Sequence, residues 1–398
     1  MAEARFRTSR DAGRRGGVFL SLGFRPFFFA AGLFAVLAMA VWILAWHGSE
    51  VIAPSMGTRN WHVHEMIFGY GSAVVSGFLF TAVPNWTGRP AVSGSALAGL
   101  FLLWLAGRIV LLFPLPPVWV AVIDVIYLPV MALVLAREIL GAGNRRNLVV
   151  LAPLLLFALA NILFHVEVAR QGVSGIGMRL GLGGLVFLVM VIGGRIIPAF
   201  TRNWLLQRGA ARQPAAPGRF DLGALLLGGA ALLFWVVQPM GWPAAAVLGL
   251  AGVLHLVRLA RWCGFATLPS PLLFVLHLGY ATVPAGLLLL ALAAVQQDFV
   301  TEVAALHMFG VGVIGAMTLS VMVRVCLGHT GRPLRSDGWM NAAFGLVFGA
   351  ALVRVLAPLT GFEGPMIDLA ALLWIVAFAL FLLRIGPLLF RPRLGGQG

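Results

Sequence analysis

Lysine is absent from this chain of 398 residues, and charged residues of any kind make up only 10% of it. An average soluble domain contains about 25% charged residues. Hydrophobic residues instead account for 61% of the chain, and its mean hydropathy is +0.98. This scarcity of charge excludes an ordinary soluble globular protein and predicts a chain embedded in a lipid bilayer.

The charge that is present is strongly basic, with 28 arginines against 13 acidic residues and a net charge of +15. Such an excess is also found in proteins that bind nucleic acid. Here the arginines lie between apolar runs and not along one helix face, which is the distribution that positive-inside topology produces. The sequence therefore predicts no nucleic-acid partner and places the arginine-rich connections in the cytoplasm.

Cysteine is almost absent as well. Cys263 and Cys326 are too few and too far apart for a disulfide framework, and no CxxCH motif for covalent c-type haem occurs. Any haem must then be held non-covalently, as b-type haem is. The basic first 23 residues lack an apolar core followed by a small-residue cleavage site, so we expect no cleaved signal peptide and a cytoplasmic N-terminus.

Twelve apolar stretches are each long enough to cross the roughly 30 Å of hydrocarbon in a bilayer. They lie at residues 24–46, 62–86, 93–113, 118–140, 147–169, 176–200, 220–239, 242–262, 270–295, 301–327, 338–358 and 364–390. Alternate connections are rich in arginine. We therefore predict an all-α integral membrane protein of about twelve transmembrane helices, with both the N-terminus and the C-terminus in the cytoplasm.

Parts of the chain resemble each other. The segments that begin at His64 and His307 both reach the tetrapeptide TGRP after 23 residues, and a segment that begins at Met178 keeps the same register of glycine and threonine. This pattern predicts a single polytopic domain, residues 1–398, built from three pseudo-repeats of four helices. The pseudo-repeats cover residues 24–140, 147–262 and 270–390, and the loop 201–219 is predicted to be a cytoplasmic linker.

Five histidines are candidate ligands because an ionisable side chain inside a membrane segment is costly and indicates function. His62, His64, His165 and His307 are predicted near the outer ends of their helices, and His277 is predicted to lie deeper. Histidine commonly binds iron and copper, so His64 and His307 are the leading haem or metal ligands. His62 is a ligand, a partner of a ligand or an interfacial anchor, while His165 and His277 are either ligands or satisfied core histidines.

The remaining histidines, His47, His255 and His329, are interpreted as ordinary loop or helix-end residues. Three glutamates of the outer zone are either partners of the histidines, parts of a proton path or solvated helix ends, and three methionines beside the motif positions suit copper or lipid-facing packing. These residues are Glu65, Glu167, Glu302, Met66, Met178 and Met308.

Two arginines near the outer ends of predicted helices, Arg108 and Arg354, are candidate cofactor-binding residues. A buried guanidinium requires an anion. Haem propionates would serve, and so would the carboxylates of Asp124 and Asp368, which lie at corresponding positions of the first and third pseudo-repeats. Of these, an internal pair with aspartate is the favoured interpretation.

Five segments resemble the signature segments of the NnrS family, and together they span nearly the whole chain. They are GFRPFF at 23–28, WHVHEM at 61–66, AVPNWTGRP at 82–90, GGRIIPAFTRN at 193–203 and GAMTLSVMVRVCLGHTGRP at 315–333. The resemblance implies a multi-pass protein of the bacterial cytoplasmic membrane that contains haem and copper. It also implies a role in nitric oxide metabolism and in tolerance of nitrosative stress.

The architecture is also similar to the catalytic subunits of haem–copper oxidases and nitric oxide reductases, where histidines on the second and tenth helices hold a low-spin haem. His64 and His307 lie on those helices here. The sixth predicted helix instead has Met178 at the motif position, and the seventh has no histidine. A three-histidine copper site from helices six and seven is thus excluded, and a second metal would need ligands such as His62, His165 or His277.

The leading functional prediction is a haem membrane protein of nitric oxide tolerance. Whether it reduces nitric oxide, with electrons from quinol or a cytochrome, or only binds it stays open at the level of sequence, and so does its status as an enzyme. The alternative is a transporter, in which the histidines and Glu65 form a proton or metal-ion path. A purely structural or assembly subunit is the third interpretation.

Overall fold

The computed structural model describes residues 17–296, 299–360 and 362–395, and among these residues it contains helices and no strands. Twelve helices, α1 to α12 in chain order, carry the fold. They are α1 (Phe24–Trp46), α2 (Thr58–Thr87), α3 (Gly94–Val110), α4 (Pro117–Gly141), α5 (Leu151–Gln171), α6 (Ile176–Leu206), α7 (Arg219–Val237), α8 (Trp242–Ala260), α9 (Pro271–Gln296), α10 (Thr301–His329), α11 (Gly338–Thr360) and α12 (Glu363–Leu389).

Eleven of the helices in the described part of the chain are long and apolar enough to cross a membrane. The predicted class, an all-α integral membrane protein, is therefore confirmed. The physical reason is that lipid offers no hydrogen-bonding partner, so an apolar segment must satisfy its backbone N–H and C=O groups internally, as a helix does. The orientation of the termini stays a prediction, and the arginines at positions 1–16 lie outside the described residues.

The helix that is not among these eleven is α3, which is shorter than its predicted span of 93–113. It has 17 residues, which is about 26 Å at 1.5 Å per residue. The helix ends at Val110 in short-range turns, with Leu112 N–H donating to Ile109 O and Phe113 N–H to Val110 O. Pro114 and Pro116 follow, and proline cannot continue a helix.

Two helices contain a wider, π-helical segment, and each segment begins directly after a predicted ligand histidine. In α2 it covers Glu65–Tyr70, directly after His64, and in α10 it covers Met308–Ala316, directly after His307. Such segments are rare and frequently lie at functional sites. The shared irregularity supports the predicted correspondence between the first and third pseudo-repeats, which stays a prediction.

The chain divides into two compact units. Among the described residues, the first unit contains 17–181, 325–333 and 381–395, and the second contains 182–324 and 334–380. The first unit joins sequence motifs that are far apart in the chain. Arg25 of α1 donates to the carbonyl oxygens of Leu389 and Arg391, at 2.7 and 2.9 Å, where α12 ends. A guanidinium at this position satisfies carbonyl groups that the helix itself leaves without partners.

Close approach of α1 and α2 in the first unit depends on Gly77. A β-carbon at this position would lie 2.4 Å from the ring of Phe28, which is fully buried. In the second unit, α6, α9 and the turn after α8 enclose an apolar core around Trp262 and Tyr280. The first unit contains the charged cluster from which the candidate site is built.

Candidate metal centre

The side chain of His64, on α2, is fully buried in the first unit. Its Nδ1 lies 2.9 Å from Oε1 of the adjacent Glu65. Its Nε2 faces two oxygens from other helices, Oδ1 of Asn161 at 2.8 Å and Oδ2 of Asp124 at 3.1 Å. Each nitrogen of this imidazole ring is therefore directed at oxygen atoms.

Asp124 of α4 is the residue on which the other groups converge. Its Oδ2 accepts a hydrogen bond from Nδ2 of Asn161 at 2.8 Å and lies 3.0 Å from Nε2 of His165. One ligand atom from each of His64, Asp124 and His165 lies within 4.8 Å of the others, so these three residues form a group able to hold a metal ion. We call them the His–Asp–His group.

The four helices bring these residues together because consecutive membrane spans run in opposite directions. His64 lies near the start of α2, Arg108 near the end of α3, Asp124 near the start of α4 and His165 near the end of α5. The start of one span and the end of the next lie at the same side of a membrane. The rule depends only on the order of the spans along the chain. Once the spans are known, we therefore expect these four helix ends to lie at the same side of the membrane.

Arg108 joins the two carboxylates of this charged cluster, Glu65 and Asp124. Its Nη1 donates to Oε1 of Glu65 at 2.5 Å, and its Nη2 donates to Oδ1 of Asp124. The predicted pairing of Arg108 with Asp124 is thus confirmed, and Glu65 is an additional partner. A buried guanidinium that bridges two carboxylates holds both side chains in fixed positions.

The cluster contains more negative charge than Arg108 can balance. With neutral imidazoles, Glu65 and Asp124 contribute two negative charges against the single positive charge of the guanidinium. Glu65 is fully buried and Asp124 is 2% exposed, so water does not screen the difference. An uncompensated charge inside a membrane is costly, and a cation at this position would offset it.

The hydrogen-bond pattern locates where that cation belongs. Carboxylate oxygens only accept, so Nδ1 of His64 must carry a proton to donate to Glu65. The amide of Asn161 donates from Nδ2 to Asp124, which leaves its Oδ1 facing Nε2 of His64. A neutral imidazole would thus direct the Nε2 lone pair at two acceptor oxygens. Either a second proton on His64 or a metal ion removes this repulsion.

Glycines on α2 and α3 allow the charged side chains to pack this closely. A β-carbon at Gly69 would lie 2.6 Å from Nη1 of Arg108 and 2.8 Å from Oε2 of Glu65. At Gly107 it would lie 2.9 Å from Oδ1 of Asp124. The carbonyl of Gly69 also accepts a hydrogen bond from Nε1 of Trp104 at 3.1 Å, which fixes the π-helical segment against α3.

Asn161 is a component of this site that the sequence interpretation missed. It lies four residues before His165 on α5, and residues four apart share a helix face. The spacing of a buried amide and a histidine within an apolar helix was the available signal. Only the contacts with His64 and Asp124 show that this face of α5 is directed at the site.

The other predicted ligands have different surroundings. The ring of His62 stacks on Trp42 of α1, with centroids 4.3 Å apart. His277, in the second unit, has Nε2 at 2.8 Å from Oγ1 of Thr201. The hydroxyl of Thr201 donates its proton to Ile197 O, so its oxygen accepts a hydrogen bond from Nε2 of His277. In that tautomer the lone pair of the His277 ring is on Nδ1. This Nδ1 is buried and has no hydrogen-bond partner in the described part of the chain.

His307 and Arg354 also belong to the second unit. Nδ1 of His307 donates to Val303 O at 2.8 Å, and this contact fixes the neutral tautomer in which Nε2 carries the lone pair. A ring held in this way is typical of histidines that bind metals. Nη1 of Arg354 is buried and makes no hydrogen bond within the described residues.

Two residues of the sequence interpretation have structural roles. Glu167 accepts from the backbone N–H groups of Gly175, Ile176 and Gly177 at 2.9 to 3.0 Å, and so stabilises the start of α6. His255 is fully buried in the second unit, with Nδ1 at 2.8 Å from Oη of Tyr280.

Arg258 belongs to the same hydrogen-bond network as His255 and Tyr280. It donates to the same Tyr280 oxygen at 2.8 Å and to Asp221 at 3.2 Å. A satisfied buried network of this kind rigidifies the helices that supply it. Nη1 of Arg261 also lies 3.5 Å from Oδ2 of Asp221, so this network, unlike the cluster around His64, has positive charge in excess.

A bundle of apolar helices with a buried His–Asp–His group defines a polytopic membrane protein with a candidate metal centre. The chain matches the family described as NnrS protein over residues 18–393, and it belongs to this family. Membership indicates a metal-binding membrane protein of the nitric oxide response. No curated protein sequence matches the chain.

Proposed function

We propose that this protein binds nitric oxide at a transition-metal centre within the bacterial cytoplasmic membrane, and that the His–Asp–His group holds the metal. The observation that carries the proposal is the meeting of three ligand atoms within 4.8 Å in a buried cluster with excess negative charge. Membership of the family supplies the link to nitric oxide.

The surroundings of the ligands support a metal rather than a packing role alone. Metal-binding histidines usually donate their second ring N–H to a carboxylate, which orients the ring and increases its basicity. Glu65 takes that part for His64, and Arg108 holds the second oxygen of Asp124. Glu65 therefore orients His64, and Arg108 orients Asp124, so residues that do not bind the metal fix the positions of two of its ligands.

Reduction of nitric oxide is the reaction that such a centre would serve. It joins two nitric oxide molecules with two electrons and two protons to give nitrous oxide and water. We propose quinol or a cytochrome as the electron donor. Without a donor, the same centre would bind nitric oxide and scavenge it without turnover.

Haem is a second group that the family resemblance implies, and the two leading histidines fit it differently. Nε2 of His64 faces Asp124 and Asn161, while Phe68 and Phe164 pack on its ring at 5.1 and 5.2 Å between centroids. These surroundings fit a small ion. The tautomer of His307 fits an axial ligand, so we propose His307 for haem, which would supply a redox-active iron.

A proton or ion path is the second candidate function. Below the cluster, the hydroxyl of Ser76 on α2 lies 2.5 Å from Oη of Tyr127, and both groups are buried. Ser72 lies one turn closer to Glu65 on the same helix and is also buried. Polar side chains aligned in this way within a membrane mark proton or ion paths in transporters. The reduction of nitric oxide would also need such a supply of protons.

The test measures metal content and nitric oxide consumption of the detergent-purified protein, with reduced quinol analogue or reduced cytochrome as donor. Asp124→Asn preserves the shape of the side chain and leaves Arg108 paired with Glu65. We expect this variant to lose the metal and the consumption. The matched control His255→Asn alters a buried histidine of the second unit and should retain both.

Full metal content and full nitric oxide consumption in a monodisperse Asp124→Asn preparation would overturn the proposal. Metal-dependent proton or cation flux in proteoliposomes, without any nitric oxide consumption, would instead establish the second candidate. Metal content, nitric oxide consumption and flux are measured on the same protein preparations. A loss of activity that is caused by misfolding is therefore recognised from the size-exclusion profile.

A further inference from the structure

We infer that the ion held by the His–Asp–His group is a single ferrous non-haem iron, and that nitric oxide binds directly to it at coordination positions that the protein leaves open. The inference rests on the proposed function and deepens it by naming the metal and the mode of binding. Its three protein ligands are Nε2 of His64, Nε2 of His165 and Oδ2 of Asp124.

The donor set points to iron. Two imidazole nitrogens and one carboxylate oxygen, with open positions beside them, are the ligands typical of non-haem ferrous centres. Copper(I) prefers soft sulfur ligands, which this group lacks, and copper(II) prefers a tetragonal set of nitrogen and oxygen ligands, so direct competition between iron and copper tests the choice of metal. Zinc also binds histidine and carboxylate, but it has no redox chemistry to offer nitric oxide.

The separations of the ligand atoms fit a six-coordinate ion. Nε2 of His64 lies 3.1 Å from Oδ2 of Asp124, and Nε2 of His165 lies 3.0 Å from the same oxygen. Adjacent ligands of an octahedral ion with bonds of about 2.1 Å are about 3.0 Å apart. Adjacent ligands of a tetrahedral ion with bonds of about 2.1 Å are about 3.4 Å apart. Both observed separations are also ordinary hydrogen-bond lengths, and they match the octahedral edge, so an octahedral ion would fit between these atoms without moving Asp124 away from either ring.

Charge and protonation are consistent with a divalent ion. The cluster has one negative charge in excess when the imidazoles are neutral, and Nε2 of His64 directs a lone pair at the oxygens around it. A ferrous ion would accept this lone pair and bind Asp124. A hydroxide in one open position would bring the whole cluster to neutrality, and an incoming ligand would displace it.

Glu65 has a second carboxylate oxygen that the ion pairs leave without a donor. Its Oε2 is buried and has no hydrogen-bond partner within the described residues, although Oε1 accepts from both Arg108 and His64. A buried carboxylate oxygen without a donor is costly. This unsatisfied acceptor adds to the excess negative charge that a cation held by the cluster would offset.

Binding of nitric oxide is balanced without an added reductant. One iron–nitrogen bond forms, the bound water or hydroxide leaves, and one electron shifts formally from the ferrous ion to the nitrosyl group. The product has a quartet spin state, whereas a ferrous haem nitrosyl has a doublet state. Electron paramagnetic resonance therefore distinguishes the two irons in one sample.

The experiment uses the full-length protein in detergent, freed of metal with a chelator and reloaded anaerobically with ferrous ammonium sulfate. Iron is then counted against protein, haem is quantified by pyridine haemochrome, and nitric oxide gas is added before the resonance spectrum is recorded. We expect one non-haem iron per chain and a quartet nitrosyl signal. Asp124→Asn and His165→Asn should both lose the signal, while His255→Asn should retain it.

Selective uptake of copper or zinc in competition with iron would overturn the inference, as would bound iron that gives no quartet signal. Nitric oxide consumption that depends on Asp124 but uses copper would leave the proposed function standing and remove the iron. A quartet signal in the native protein, together with nitric oxide consumption that Asp124→Asn leaves unchanged, would support the iron site and remove the proposed function. Absence of any metal in well-folded protein would refute both and identify the cluster as a protonated ion-pair network.

Discussion

Oε1 of Glu65 lies 2.9 Å from Nδ1 of His64, so two consecutive residues of α2 are joined through their own side chains. The same oxygen accepts from Arg108 of α3 at 2.5 Å. The direction of the His64 ring is therefore set by its sequence neighbour and by a second helix together. In this arrangement Glu65 positions the histidine and does not itself bind the metal.

Glu65→Gln tests this positioning role. The amide keeps an oxygen that can accept from His64 but removes the negative charge that strengthens the contact. Loss of such an outer partner typically weakens metal binding by about 10- to 100-fold. We expect that decrease in a competition titration with a metal-binding dye.

The matched control for this titration is Glu138→Gln. Glu138 pairs with Arg89 at 2.8 Å in the same unit but takes no part in the cluster. An unchanged metal affinity in Glu65→Gln would show that the contact seen at Nδ1 of His64 does not tune the site.

Arg108→Leu is expected to destabilise the first unit strongly. The substitution leaves Glu65 and Asp124 buried without their counter-charge, and breaking a buried pair in this way costs about 3–5 kcal/mol. The double variant Arg108→Leu with Glu65→Gln contains one unpaired carboxylate in place of two, and so should be less destabilised than the single variant. Chemical unfolding in detergent micelles measures both. Equal stability of the single variant and the native protein would contradict the assignment of these ion pairs.

Gly69→Ala should disturb the cluster through packing alone. The added β-carbon would lie 2.6 Å from Arg108, 2.8 Å from Glu65 and 2.8 Å from Phe34. Overpacking of this kind typically costs about 1–3 kcal/mol, and we also expect weaker metal binding. Gly99→Ala is the control, because Gly99 is exposed on α3 with nothing within 4 Å of the new atom. Thermal unfolding and metal titration should separate the two variants, and identical behaviour would argue against the tight packing around Arg108.

His307→Ala should remove haem if this residue is the axial ligand. The absorption spectrum of the oxidised, the reduced and the nitric oxide-treated protein reports the change as loss of the Soret band. His255→Asn is the comparison, because His255 makes its hydrogen bonds to Tyr280 and the Ala224 carbonyl within its own network. Complete haem in His307→Ala would transfer the prediction to His277, whose buried Nδ1 presents a lone pair.

The sequence identified several side chains of the site individually, but it did not show that they form one site. His64, His165, Arg108 and Asp124 stand out in the sequence because each is an ionisable group in an apolar helix. The pairing of Arg108 with Asp124 was predictable from their position near the same membrane surface. The contribution of Asn161 was not, because an asparagine in a helix has many alternative partners.

The prediction that groups His64 with His307 rests on repeated sequence, and the structure adds a π-helical segment after each of them. Hydrophobicity patterns do not reveal such segments, because an inserted residue changes the helix register without changing composition. His64 as a haem ligand stays a prediction, and its contacts in the first unit make the small-ion alternative testable.

The sequence by itself determined the class of the protein and the bounds of most helices, because the requirement for an apolar run of sufficient length is local. It also determined which ionisable groups the membrane must accommodate. The order of the spans places their ends at one side of the membrane, but only the tertiary structure decided which side-chain atoms are in contact and that Asn161 takes part, since that depends on the rotation of each helix about its axis and on close approaches at Gly69 and Gly107. Those rotations are set by packing between helices, and they bring six polar residues from four helices into one buried cluster.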